Sequence, residues 1–185
     1  MRFFGSRRTS RTSGPRADDV DLSSTDLEAV LLAGGVGRVT GARPSPVTRE
    51  RVSAWMDACG FTYFVDSDGD LGGLWHGRLF YFLVLGDEGE VLQVRGQWHR
   101  EASIERLGEI LELCNAWNAD HIWPKTYARV RDDGAVVVCA EVTVSLEHGA
   151  SDTQLGQLLH CGLSTGAMFF EQLDQYFVDP LRTTP

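Results

Sequence analysis

The spacing of apolar positions changes once within residues 111–131, and the rest of the chain can be read outward from that change. Ile104, Leu107, Ile110, Leu111, Cys114 and Trp117 recur at helical intervals and predict one face of an amphipathic helix. Pro124 ends that helix, because proline has no amide hydrogen to donate and pushes Trp123 toward an extended conformation. A strand over 125–131 follows, and the turn Asp132-Asp133-Gly134 folds it into a hairpin with a second strand over 135–144. In that second strand Val136, Val138, Ala140, Val142 and Val144 share one face.

Upstream, Ser45-Pro46 reads as a helix entry, with serine as the cap and proline in the first turn. Val52, Trp55, Met56 and Cys59 form the apolar face of that helix, and Gly60 stops it. Residues 61–65 read as a strand and 71–76 as a short one. The continuous apolar run over 78–85 predicts a central strand buried on both faces. Over 90–98, Leu92, Val94 and Trp98 alternate with Gln93, Arg95 and Gln97, which predicts one solvated face.

Downstream, Ser151 and Gln154 have capping-box spacing. The last helix carries Leu155, Leu158, Leu159, Leu163, Phe169, Phe170, Leu173 and Phe177, and Gly162 and Gly166 leave flat places on it for another element. The resulting order, α-β-β-β-α-β-β-α with short turns, predicts an α+β fold with a largely antiparallel sheet flanked by helices. The folded domain is assigned to residues 45–179. Residues 1–44 divide into a disordered Arg/Ser-rich tail, a short helix over 24–32 and a Gly/Pro connector, and residues 180–185 are expected to fray.

Composition narrows the function. With 43% hydrophobic and 23% charged residues the chain has the profile of a soluble globular protein. A net charge of −9 opposes general binding to nucleic acid or anionic membranes, although Arg2, Arg7, Arg8, Arg11 and Arg16 make the tail locally basic. No run is long and apolar enough for a membrane span, and the polar N-terminus lacks a secretory signal, so a cytoplasmic location is expected. Cys59, Cys114, Cys139 and Cys161 are widely spaced in apolar surroundings and read as reduced core thiols.

The search for chemistry finds little. His76, His99, His121, His148 and His160 have no metal-ligand spacing with one another or with cysteine. Asp66-Ser-Asp-Gly-Asp70 begins like a calcium loop, but Leu71 stands where glycine is required and Gly77 where glutamate is required. Asp68 with Asp70, and Asp132 with Asp133, are paired acids in turns, and no phosphate-binding glycine loop or nucleophile elbow is present. No catalytic residue, cofactor or metal is therefore expected. Trp75, Trp98, Trp117 and Trp123 are the candidate partner-binding residues. For Trp117 and Trp123 core packing is the favoured reading, and for Trp75 and Trp98 the two roles are evenly balanced. An enzyme in which the acids or His99 and His121 meet in a cleft is the alternative.

Asp66-x-Asp-Gly-Asp-Leu-Gly-Gly73, Phe80-Tyr-Phe82 and Leu92-x-Val-Arg-Gly-x-Trp98 resemble the YbjN family of bacterial proteins. So do Leu113-Cys-Asn-x-Trp-Asn118, Trp123-Pro-Lys-x-Tyr127, Ala140-Glu-Val142 and Gly156-Gln-Leu158, and the resemblance spans residues 47–177. It implies a fold like that of the type III secretion chaperones, which commonly pair into dimers, and the role of a sensory transduction regulator without known chemistry. The expected function is thus a protein-interaction or chaperone-like regulatory module with a protein partner. A homodimer is also expected, since the last helix carries more apolar surface than one sheet face needs.

Overall fold

The computed structural model describes residues 43–177. The tail, the short helix and all but the last two residues of the connector read over 1–44, and the fraying end read over 180–185, lie outside the described residues.

Six strands form one sheet: β1 Phe64–Val65, β2 Leu71–Trp75, β3 Arg78–Leu85, β4 Val91–Gln97, β5 Lys125–Val130 and β6 Val136–Ser145. Their spatial order is β1-β2-β3-β4-β6-β5, with every neighbouring pair antiparallel. Three helices accompany them, α1 Arg49–Ala58, α2 Leu107–Asp120 and α3 Asp152–Tyr176. The α+β class stands. All four strands read over 61–65, 71–76, 78–85 and 90–98 are present, one more than the order α-β-β-β-α-β-β-α counts, and the first is shortened to Phe64–Val65, the two residues that pair with β2.

The start of α1 differs from the expectation. Thr48, not Ser45, is the cap, its hydroxyl accepting from the Arg51 amide at 3.3 Å. Ser45 is engaged elsewhere: its backbone exchanges hydrogen bonds with Ala150 at 3.2 and 3.0 Å, which holds the segment before α1 in extended form. The start of α3 agrees with expectation, with both halves of the Ser151/Gln154 capping box formed.

The helices pack on one face of the sheet. There α3 crosses β3, β4 and β6 at close range. A Cβ on Gly162 would lie 2.6 Å from Val94, and one on Gly166 would lie 2.9 Å from Phe80, so only glycine permits this approach. Leu155, Leu159, Leu163, Phe169, Phe170, Leu173 and Phe177 are all buried within the single chain. Phe170 packs on Phe80 of β3 and Phe169 on Trp117 of α2, so the wide apolar arc of the helix is divided between the sheet and the neighbouring helix. On α2 the buried stripe is Ile110, Cys114 and Trp117, while Ile104 and Leu111, predicted to join it, are exposed. The helix packs along the edge strand β5 and, through Trp117, against Phe169 of α3.

Two expectations about the other face need correction. It is not solvated along β4: Gln93 is 7% exposed and donates to Thr143 at 2.8 Å, while Arg95 pairs with Glu141 at 3.1 Å. Tyr127 donates to the same Glu141 at 3.0 Å. The pairing of β4 directly with β6 brings these polar side chains side by side, where they satisfy one another. Nor is β3 evenly buried on both faces. Phe80 and Phe82 are fully enclosed on the helix side, whereas on the opposite face Leu83 is buried, Leu79 and Tyr81 are half-buried and Leu85 is exposed.

Candidate functional site

The surface that stands apart is the corner between α2 and β5. His121 closes α2 by donating its amide to the Trp117 carbonyl at 2.9 Å, and its ring stacks on Trp117 with centroids 3.8 Å apart. Across the corner the Asn118 side chain exchanges hydrogen bonds with the Thr126 backbone, both 2.8 Å. A cis peptide links Trp123 to Pro124. Ile122 is 93% exposed and Trp123 36% exposed.

Trp123 forms one wall of an apolar groove of about 360 Å³. Leu146, Gly149 and Ala150 line it as well, together with Gln154, Gln157, Leu158 and Cys161 of α3. Ile122 lines a second groove of about 390 Å³ on the other side of the corner, together with Asn118, Asp120, His121 and Lys125. The corner thus separates an apolar depression from a polar one. Burial pushes the Cys161 thiol above its ordinary value, which keeps it protonated and poorly nucleophilic near neutral pH. Burial also lowers the neighbouring His160, favouring its neutral form.

The four tryptophans named from sequence separate here. Trp75 is buried among Phe61, Phe80 and Phe82. Trp98 is buried against Phe177, and Trp117 between His121 and Phe169. These three have no surface to offer a partner, whereas Trp123, read as core, is the one at the surface. Sequence reasoning missed Ile122, and the only signal for it was an aliphatic residue beside a tryptophan at a proline corner.

The groups weighed for catalysis do not converge. His99 lies 3.9 Å from Asp174, while His121 is stacked on Trp117. The Asp66 carboxylate accepts from the amides of Asp68 and Asp70, each at 2.9 Å, and Asp70 pairs with Arg49, so this segment is a self-satisfied turn. Asp133 is held below the usual carboxylate range by Arg131 in its hairpin turn. Among the described residues no three His, Cys, Asp or Glu side chains are grouped so as to hold a metal ion. No described helix is long and apolar enough to cross a membrane.

A polar cluster that the sequence did not suggest lies at the end of α3. Asp174 accepts from Arg78 at 2.7 Å and from the Trp98 indole at 2.8 Å, with Arg100 3.8 Å away. Arg100 also lies over the Trp98 ring and donates to the Phe177 carbonyl. Each of these groups holds the end of α3 to the sheet, which makes the cluster a structural clamp.

Residues 48–175 match the model of the YbjN family, described as "Putative bacterial sensory transduction regulator". The chain belongs to that family. Among solved structures it is similar to YbjN of E. coli, described as "a putative transcription regulator", with a TM-score of 0.61 and 12% identity over 72% of this chain and 95% of that one. It is also similar to an uncharacterized protein from Methanothermobacter thermautotrophicus, with a TM-score of 0.51 and 9% identity over 71% of this chain and 99% of that one. At these identities the likeness is one of fold. A search of curated protein sequences finds no match.

Proposed function

We propose that this YbjN-family chain is a non-catalytic, cytoplasmic protein-interaction module, chaperone-like or regulatory in use, that takes an apolar peptide segment of a partner in the groove beside Trp123. The observation that carries this reading is the placement of Trp123 at the surface by a pinned corner, facing an apolar groove, while Trp75, Trp98 and Trp117 are buried. A tryptophan held in place before binding loses little freedom when a partner covers it, and such residues are frequent anchors at interfaces. The groove wall supplies amides and a protonated thiol rather than converging acids and bases, which suits binding better than bond making.

The test is selection of peptides from a displayed random library on the full chain. Enriched sequences should share an apolar pair, and should lose binding to Trp123→Ser and Leu158→Gln variants that unfold within about 1 kcal/mol of the parent. Failure to enrich any sequence, or equal binding to both variants, would remove the proposal. Homodimerisation is a separate part of it. The apolar residues of α3 that suggested pairing are buried in one chain, so a second copy would have to use outer residues such as the exposed Met168 and Tyr176.

A further inference from the structure

We infer that the partner segment taken by the Trp123 groove binds as an added β-strand, hydrogen-bonded to the free edge of β6 at Thr143 and Ser145; this rests on reading the groove as a docking site. β6 runs from Val136 to Ser145, but β5 begins only at Lys125, opposite Glu141. Residues 142–145 therefore have β4 on one side and no described strand on the other. Trp123 lies just before the start of β5 and Leu146 just after the end of β6, so two residues that line the groove stand at this unpaired end of the sheet.

The neighbours of β6 fix which way its backbone groups point. Val136 exchanges hydrogen bonds with Ala102 at 2.7 and 3.0 Å, and the Val138 carbonyl accepts from the Trp98 amide at 2.9 Å, so the even-numbered residues face β4. On β5 the Thr126 backbone is taken on its outer side by Asn118, so Lys125, Tyr127 and Arg129 bond inward to Glu141, Cys139 and Val137. Thr143 and Ser145 continue that odd-numbered series, and both are exposed. Their amides and carbonyls point away from β4, and among the described residues no hydrogen bond reaches them. An extended peptide can bond to such a row at alternate residues, whereas a helix satisfies its own backbone and leaves the edge unpaired. The register also sets which partner side chains enter the groove, because successive residues of a strand point to opposite faces. Val136, Val138 and Val142 are buried on the helix face, and Val144 shares that face. A partner residue opposite Val144 therefore turns toward α3, where Leu158 and Cys161 line the groove, and residues opposite Thr143 and Ser145 turn away from it. The apolar pair expected in bound peptides should thus be two residues apart.

The probe is the tightest peptide from the displayed library, resynthesised and N-methylated one residue at a time, and bound to the full chain. Each methyl group removes one amide donor, so affinity should fall about tenfold at alternate residues and less than about twofold at those between. At saturation with the parent peptide, amide exchange at Thr143 and Ser145, read by NMR, should slow by about tenfold or more. Exchange at Val142 and Val144, which are already paired with β4, should stay unchanged. Apolar pairs three or four residues apart, or methylation losses without a period of two, would mark a helical or irregular ligand and overturn the inference while the docking reading stands. Slow exchange at Thr143 and Ser145 without peptide would also overturn it, since the edge would already be paired. If that slowing grows with protein concentration, the edge belongs to a second copy. If the library yields no peptide, or only peptides indifferent to Trp123, the docking reading falls and the inference falls with it.

Discussion

Asp174 and Trp123 show how differently two side chains near the surface can matter. Asp174 is the counter-charge of Arg78, whose side chain is only 8% exposed and whose Nε has no hydrogen-bond partner among the described residues. Asp174→Ala leaves that guanidinium in the core with only Glu171, 3.9 Å away, as counter-charge, and a loss approaching the roughly 3–5 kcal/mol of a broken buried pair is expected in urea unfolding. Trp123→Ser removes a ring that already meets solvent, and its cost should stay near 1 kcal/mol, well short of the roughly 3–5 kcal/mol of a buried aromatic truncation. A larger loss than for Asp174→Ala would return Trp123 to the core. At His160, burial lowers the folded-state value below the ordinary histidine value of about 6.5. The unfolded chain therefore takes up the proton first, and stability contributed by keeping His160 neutral is lost as pH falls below about 6.5. Thermal melts of His160→Gln should accordingly fall less than those of the parent between about pH 7 and pH 5.5. The sequence showed Trp98 and Arg78 as a tryptophan and an arginine on strands, and nothing local revealed that residue 174 would meet both.

Elements were legible where their signals are local. The capping box of α3 and the Asp132-Asp133-Gly134 hairpin stand as read, and of the stripe read on α2 Ile110, Cys114 and Trp117 are buried. The cap of α1 was misplaced because Ser45 is engaged by a residue over a hundred positions away. The polar row on β4 was misread as solvated for a related reason: alternation shows that Gln93 and Arg95 share a face, but not that Thr143 and Glu141 stand beside them. The edge strand β5 has a further device that only the fold reveals. The Asn118 amide occupies the Thr126 backbone as a neighbouring strand would, blocking one position of the sheet edge. Asn118→Ala leaves both Thr126 groups without that partner. We expect a loss of about 1–3 kcal/mol by urea unfolding and faster amide exchange at Thr126 by NMR. An unchanged exchange rate would mean that water or another chain segment replaces the asparagine.

Across the whole molecule, the helices are layered on one face of the sheet, and the surplus once assigned to α3 disappears because α2 and the sheet share it. Of the two grounds for expecting a pair, the family resemblance and the apolar surface of α3, the second rested on counting apolar residues on a single helix, which cannot reveal a second helix lying alongside. Light scattering on chromatographed full-length protein decides the state of the chain. A dimeric mass lost on Met168→Glu would place the partner copy on the outer side of α3, and a monomeric mass at tens of micromolar would remove the homodimer. The candidate site followed the same rule as the fold. Trp123 and Pro124 marked a corner from sequence, but its depth relative to Leu146 and Leu158 depends on elements that meet only in three dimensions.

The position of β6 between β4 and β5 also sets the order in which the molecule can assemble. The strands β1 to β4 are joined by tight turns, and so are β5 and β6, so each block can form from contacts between near neighbours. The seam between the blocks pairs Gln97 with Cys139 and Val91 with Ser145, and closing it requires α2 and its corner to be enclosed in the loop. Contacts of such long sequence separation slow folding relative to local ones. The last step should thus be a zipping of β4 onto β6, with α3 following to cover it. Substitutions along α3 would then act chiefly on the rate of unfolding, while those in the two hairpin blocks would also change the rate of folding.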